Sequence, residues 1–209
     1  MPDTTQLIAF VAASAILGVT PGPDIIYVIT RGAAQGPRAG IAAAAGLSTG
    51  IVAHTALCVV GLSAVLAASA TAFTVIKLAG AAYLVYLGVR MWLSRESLDL
   101  SADGGGAPVG AIYRQSIVMN VLNPKVAIFF LAFLPQFVDP SAGPVAPQFA
   151  LLGTIFMVVS FVVMGLAGLG GGQLRRVLAQ SERAARTIRF AAGGVLVALG
   201  VRLAFEGRG

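Results

Sequence analysis

The chain is short of charge, of cysteine and of histidine. Only 11% of its 209 residues are charged and 57% are hydrophobic, with a mean hydropathy of +0.90, whereas soluble domains carry about 25% charged residues. The single cysteine, Cys58, excludes an intramolecular disulfide, a dithiol redox pair and a cysteine metal cluster. We therefore expect an integral membrane protein that uses no metal and no cofactor and binds no nucleic acid.

Six apolar segments are present, and none shows the alternation of a β-strand. They are about Leu7–Ile29, Ala39–Leu66, Phe73–Leu93, Ile112–Leu134, Gln148–Gly170 and Ile188–Phe205. Since about 20 apolar residues in a helix cross the hydrocarbon core, each segment is long enough for one span. No Lys or Arg precedes Arg31, so we expect the first span to be retained rather than cleaved as a signal peptide. The pattern predicts an all-α membrane protein of six transmembrane helices in a single domain, residues 1–209.

Two of the six segments are interrupted in the middle. The first contains Gly18-Val19-Thr20-Pro21-Gly22-Pro23-Asp24, and the fourth contains Asn123-Pro124-Lys125. Proline lacks an amide donor and clashes with the preceding turn, so neither segment can form one regular helix. Broken helices at membrane depth are tolerated where they line a polar cavity or are buried in protein. The two breaks therefore predict a binding site inside the membrane.

The third and sixth segments resemble each other. Residues 76–90 align without a gap with residues 188–202, and eight positions are identical, ending in a shared Leu-Gly-Val-Arg. The polar, glycine-containing stretch Ser94–Gly110 separates the halves as a linker. Three spans per half make the halves cross in opposite directions. We therefore expect a 3+3 inverted repeat, about 1–93 and 111–209, with helices 1 and 4 broken, which is a plan typical of secondary transporters.

Basic residues cluster on one side of the predicted topology. Ten of the 14 Lys and Arg residues flank the connections after spans one, three and five. The positive-inside rule makes that side cytoplasmic and places both termini outside. Lys77, Arg202 and Arg208 are exceptions to this rule, because they fall near the outer face. Lys77 and Arg202 are the repeat counterparts of Arg189 and Arg90, so an inverted repeat accounts for their position.

Asp24 and Lys125 are the main candidates for a site, because each directly follows the proline of a break. An acid inside a membrane is functional by default, and a lysine in the first turn of a helix opposes the helix dipole and needs a partner. We expect the two side chains to pair in an empty central cavity. Two simpler interpretations stay open: Asp24 is a helix-end acid favoured by the dipole, or the pair is purely structural.

Further candidates surround the breaks. Pro23 and Pro124 each suit the first position of a half-helix. We expect Thr20 or Gly22 to be the N-cap of the first half-helix and Asn123 that of the second. Two half-helix N-termini attract a carboxylate, and Asp24 attracts an amine, so the site fits a zwitterion such as an amino acid. Asn120 is expected to line the cavity. His54 either relays a proton or is a packed histidine bonded to a backbone carbonyl or to Thr55.

The motifs together resemble the LysE/RhtB family of bacterial amino-acid exporters. They are Thr20-Pro21-Gly22-Pro23-Asp24, His54-Thr55, the stretch from Lys77 to Gly88, Asn123-Pro124-Lys125 and Phe133-Leu134-Pro135-Gln136-Phe137, in family order. The resemblance implies a secondary transporter in the inner membrane that exports homoserine-, threonine- or lysine-type amino acids, or related small metabolites, coupled to protons. It also implies association as a homodimer.

Rival functions remain. A membrane enzyme would need catalytic groups near the interface, but the loops are short and histidine appears once. An exporter of an inorganic cation would need several buried acids or histidines, where only Asp24 and His54 qualify. A membrane protein that assists a partner without transporting anything is the third alternative. The residues favour an amino-acid exporter over these.

Overall fold

The computed structural model describes residues 4–93, 106–174 and 182–205, and these form helices without a strand. The principal helices are α1 (Thr4–Val19), α2 (Pro23–Gln35), α3 (Pro37–Leu57), α4 (Ser63–Ala68), α5 (Ala70–Leu93), α6 (Val109–Val121), α7 (Pro124–Ile128), α8 (Val145–Leu169) and α9 (Glu182–Phe205). A π-helical turn, Cys58–Leu62, joins α3 to α4. Another, Phe129–Phe133, continues α7 into the 3₁₀ turn Leu134–Phe137, and a further 3₁₀ turn covers Pro140–Ala142.

Four stretches are long and apolar enough to cross a membrane unbroken: Pro37–Val65, Thr71–Leu93, Val145–Leu169 and Arg186–Phe205. Two bent pairs qualify together, Thr4–Val19 with Pro23–Gln35 at 62° and Val109–Val121 with Pro124–Phe137 at 47°. Counting each bent pair as one span gives six candidate spans in the described part of the chain, which we number one to six in chain order. The multi-pass membrane fold and both predicted breaks are thus confirmed.

The boundaries differ slightly from those expected. The linker was predicted to reach Gly110, but Pro108 is already the N-cap of α6, so the helix begins at Val109. Proline suits a position just before a helix because its backbone angle is fixed near that of the first turn. Residues 94–105 of the linker lie outside the described residues.

Span two is the most enclosed of the four unbroken spans. Half of its apolar window is buried, compared with 28% for spans three and six. Its glycines permit this, because a Cβ added at Gly46 would overlap the Tyr113 carbonyl of α6, and one at Gly40 would lie 2.7 Å from the Gly168 carbonyl of α8. Small residues allow the backbones of membrane helices to approach closely. Span two therefore holds the first half of span four and span five together.

Spans three and six pack on each other in the same way. A Cβ at Gly88 would lie 2.5 Å from the carbonyl oxygen of Gly193, and one at Gly200 would lie 2.7 Å from that of Ala81. The indole of Trp92 adds a hydrogen bond of 2.9 Å to the Phe190 carbonyl. An aromatic core fills the space between the spans: Phe10, Phe129, Phe130, Phe133, Phe137 and Phe156.

Candidate functional site

The two breaks meet inside the bundle. Pro23 and Pro124 are the first residues of α2 and α7, as predicted, and the residues after them, Asp24 and Lys125, are 2% and 8% exposed. Proline is tolerated at the first helical position because the amide it lacks has no partner in the helix anyway. The broken spans therefore bring an acid and a base, each one residue inside a half-helix, to the same cavity.

The caps of the two half-helices differ. The Asn123 carbonyl oxygen Oδ1 accepts a 3.0 Å hydrogen bond from the Lys125 amide, so Asn123 caps α7 as predicted. Gly22 is the N-cap of α2 but offers no side-chain bond. The Thr20 hydroxyl donates to the Ile16 carbonyl at 2.7 Å, so of the two expected candidates, Thr20 and Gly22, it is Gly22 that caps α2. The amides in the first turn of α2 therefore remain available to an anion.

Asp24 has one occupied and one free oxygen. Its Oδ2 accepts a 3.2 Å hydrogen bond from Asn120 Nδ2, while Oδ1 is buried without a partner. The amide of Asn123 also lies beside the carboxylate, yet its Nδ2 is outside hydrogen-bonding geometry and, like Asn120 Oδ1, has no partner. Buried polar atoms are normally hydrogen-bonded. Two free acceptors, Asp24 Oδ1 and Asn120 Oδ1, and one free donor, Asn123 Nδ2, are therefore left at the breaks.

Lys125 reaches across to the first break. Its ammonium donates to the carbonyls of Thr20 at 3.2 Å and Leu17 at 3.4 Å, at the C-terminal end of α1. A cation is favoured there by the negative end of the helix dipole. The direct pairing expected for Lys125 and Asp24 is therefore not what the structure contains. Lys125 instead connects the two broken spans, with its charge close to that of Asp24.

His54 lies behind Asn120 rather than in the cavity. Its Nε2 is 3.0 Å from the Asn120 backbone carbonyl, and its ring packs 5.7 Å from that of Phe130. Because a carbonyl only accepts, Nε2 carries the proton in this contact. One turn earlier on α3, a Cβ at Gly50 would lie 2.8 Å from the Cβ of Asn120. Span two thus fixes both the backbone and the amide of Asn120, and the packed-histidine interpretation of His54 fits the geometry.

A polar cavity lies between the breaks. It is lined by Leu17, Gly18, Asp24, Asn120, Lys125, Val126, Phe156, Ser160 and Met164. Its volume is only about 10 Å³, at the lower limit for one water molecule. In this conformation the cavity is therefore too small to hold a molecule larger than water.

Span five supplies the residues that sequence reasoning missed. Phe156, Ser160 and Met164 follow one another at four-residue spacing and so share one face of α8. Span five is unbroken, and no charge or proline marks this face. The four-residue spacing of a serine among apolar residues was the only signal, and it also describes ordinary packing.

An apolar cavity occupies the other side of the first break. Its volume is about 600 Å³. It is lined only by apolar residues of spans one, five and six and of the segment after α8: Ile16, Val19, Pro21, Ile25, Ile26, Ile29, Val163, Leu166, Ala167, Leu174, Ile188, Ala191, Ala192 and Val195. It offers no group that orients a charged ligand.

No group of three or more His, Cys, Asp or Glu side chains suited to a metal ion occurs among residues 4–93, 106–174 and 182–205. Within those ranges, the cluster that combines buried charge with unpartnered polar atoms is the one in the polar cavity.

Comparisons with known proteins agree with one another. The family model of the LysE type translocator matches residues 15–207. The chain is 36% identical over 156 residues, 75% of each chain, to the homoserine/homoserine lactone efflux protein of Salmonella typhimurium. It is 30% identical over 196 residues, 93% of each chain, to the leucine efflux protein of Enterobacter sp. strain 638. An uncharacterized membrane protein of Vibrio cholerae is 34% identical over 162 residues, 78% of each chain. No solved structure matches significantly.

Proposed function

Because the chain belongs to the LysE type translocator family and is thus a transporter rather than an enzyme, we propose that it is a secondary active exporter of amino acids, coupled to protons, in the bacterial inner membrane. The observation that carries the proposal is the buried carboxylate of Asp24, one of whose two oxygens has no hydrogen-bond partner, beside the N-termini of two half-helices. A buried acid without a full set of partners is costly and is kept where a ligand completes it.

The free atoms match the two ends of an amino acid. Asp24 Oδ1 and Asn120 Oδ1 are acceptors for an ammonium group. Asn123 Nδ2 and the uncapped amides at the start of α2 are donors for a carboxylate. Lys125 adds positive charge on the carboxylate side once its ammonium leaves the carbonyls of α1. A zwitterion therefore satisfies both sets at once.

Proton coupling follows from competition at Asp24. A proton on the carboxylate removes the charge that holds the substrate amine, and a bound amine disfavours the proton. The two ligands thus exclude each other, which is what exchange of an exported amino acid for an incoming proton requires.

The inverted repeat supplies two related conformations. We propose repeat one at about 1–93 and repeat two at about 111–209. The linker 94–110 joins them, and its last two residues already belong to α6. The support for the repeat is the packing of spans three and six: in the alignment Gly88 corresponds to Gly200 and Ala81 to Gly193, so the Gly88–Gly193 contact becomes the Gly200–Ala81 contact. A pair of contacts that exchange under the repeat is expected of a two-fold axis in the membrane plane.

The same proposal places both termini outside the cell. Cysteines at Arg38, after span one, and at Ser141, after span four, in a Cys58→Ala background test it, because both positions are exposed in the structure. An impermeant thiol reagent added outside should modify the cysteine at 141 and spare that at 38. Modification of the cysteine at 38 but not of that at 141 would show that both termini lie inside the cell.

We further propose that the protein forms a homodimer. Crosslinking in membranes and mass measurement in mild detergent should both show two chains, whereas monomer alone in both would contradict it.

Efflux from proteoliposomes tests the function itself. Vesicles loaded with labelled homoserine, threonine, leucine or lysine are diluted with and without a pH gradient. Saturable efflux that the gradient accelerates supports the proposal. Movement of an inorganic cation with no amino-acid flux across the panel would favour the rival cation exporter, and no flux of either kind would favour a partner protein.

A further inference from the structure

Ser160 lines the polar cavity, whereas the two other buried hydroxyls that lack a hydrogen-bond partner, those of Thr30 and Ser48, do not. Six other helical Ser and Thr side chains donate to the carbonyl four residues earlier: Ser14, Thr20, Thr49, Thr55, Ser116 and Thr154. Such a bond satisfies a hydroxyl inside an apolar helix. Ser160 is only 7% exposed and has no hydrogen bond in the structure. Its hydroxyl is therefore available to whatever fills the polar cavity.

Its surroundings are those of a side-chain pocket. Phe156 and Met164 lie one turn away on either side along α8, and Leu17 and Val126 add apolar surface from the two broken spans. The acceptors and donors that match the two charged ends of an amino acid belong to Asp24, Asn120 and Asn123, on spans one and four. Span five thus faces the part of a bound amino acid that the broken spans do not hold.

From this arrangement we infer that Ser160 is a specificity-determining residue, which selects a short, uncharged amino acid carrying a side-chain hydroxyl. The inference rests on the proposed amino-acid export and concerns the same cavity. Within the cavity lining, Asp24 is the one acid. An α-ammonium group that uses Asp24 leaves no carboxylate for a second ammonium, so a basic side chain would be buried without a counter-charge. Apolar walls with one hydroxyl suit a side chain of a few methylenes ending in an OH group.

The test compares homoserine with norvaline, which replaces the hydroxyl by a methyl group of similar size. Efflux of each labelled amino acid is measured for the wild type and for Ser160→Ala in proteoliposomes. The wild type should prefer homoserine, and Ser160→Ala should reduce that preference about two- to tenfold, the value of one neutral hydrogen bond. Norvaline efflux should stay within about twofold of wild type, and Ser160→Thr, which keeps a hydroxyl, should retain part of the preference. Lysine should be exported poorly by all of them.

Thr154→Ala is the matched control, since Thr154 lies on the same helix but is exposed and bonded to the Ala150 carbonyl. It should leave the homoserine preference unchanged. An unchanged preference in Ser160→Ala, equal loss of both substrates, or efficient lysine efflux by the wild type would overturn the inference while leaving amino-acid export intact. Absence of any amino-acid efflux by the wild type would instead refute the proposed function on which the inference rests.

Discussion

Two cavities flank the first broken helix, and they differ in size and in chemistry. The apolar cavity measures about 600 Å³ and is lined only by apolar side chains. The polar cavity measures about 10 Å³ but contains Asp24, Asn120, Lys125 and Ser160. Only the second provides groups that distinguish one ligand from another. Its small size leaves the two buried charges little contact with water, so Lys125 is bonded to the carbonyls of α1 and Asp24 to Asn120.

The comparison also explains what the break is for. Asp24 faces the polar cavity, while Ile25 and Ile26, its neighbours on the same turn, face the apolar one. A short half-helix that pivots at Gly22 would enlarge one cavity at the expense of the other. We propose that the large apolar cavity gives the half-helix room to move and that the amino acid binds in the small polar cavity.

The largest expected effect is that of Asp24→Asn. Asparagine keeps the shape and an acceptor for Asn120 but removes the charge that holds the amine. A hydrogen bond to a charged group contributes about 1.5–3 kcal/mol, so export should fall about 10- to 100-fold or more. Proteoliposome efflux at equal protein density measures it.

Ile26→Ala, on the same turn but in the apolar cavity, is the matched control for Asp24→Asn. It should keep export within about twofold. Equal losses in the two variants would remove the distinction between the cavities.

The next largest effect is expected for Lys125→Met, which breaks the connection between α7 and the end of α1. Loss of the bonds to Leu17 and Thr20 should lower stability by about 1–3 kcal/mol and reduce gradient-driven export, by less than Asp24→Asn does. Thermal unfolding in detergent and efflux are the two readouts.

Adding Asp24→Asn to Lys125→Met tests whether the two charges interact without touching. The double variant should regain stability relative to the sum of the single losses, because neither charge is then left uncompensated. Strict additivity would mean that the two residues act independently.

A smaller effect is expected for Gly50→Ala, which acts on the site from span two. The added methyl would press on Asn120 and displace its amide from Asp24. Overpacking of this kind costs about 1–3 kcal/mol, with a several-fold loss of export.

Gly165→Ala on α8 is the control, because nothing lies within 4 Å of the added methyl. It should leave stability and export unchanged, and a comparable loss there would mean that any added methyl impairs the bundle.

The smallest effect is expected for His54→Gln. Glutamine retains a donor for the Asn120 carbonyl, so export should stay within about threefold of wild type and its dependence on pH should keep its shape. Efflux measured from pH 5.5 to 8 decides the point. A shifted or flattened pH profile would show instead that His54 carries the proton.

Much of the fold was predictable because membrane constraints are strong. Six apolar segments and two proline breaks follow directly from helix length and from the missing proline amides. The positions of Asp24, Asn123 and Lys125 followed from those breaks. The direction of the Lys125 side chain did not follow from the breaks. The carbonyls at the end of α1 compete with Asp24 for the Lys125 ammonium, and only the packing of the spans decides which of these partners it contacts.

Other parts of the site leave no trace in the sequence. Ser160 differs from Thr154 in being buried and in lacking a bond to its own helix, and no pattern of residue types reveals either. Thr20 is a good cap by residue type, yet its hydroxyl turns back to Ile16. Such choices between equivalent hydrogen bonds depend on neighbours from distant spans.

Substrate protection of single cysteines tests most directly the claim that the polar cavity is the transport site. Met164 and Leu166 lie two residues apart on α8 and line the polar and the apolar cavity respectively. Each is replaced by cysteine in a Cys58→Ala background, and labelling by a small membrane-permeant thiol reagent is timed with and without saturating amino acid. We predict that substrate slows labelling at position 164, with half-protection near the KM for export, and leaves position 166 unaffected. Protection at 166 but not at 164 would place the transported amino acid in the apolar cavity and contradict the account.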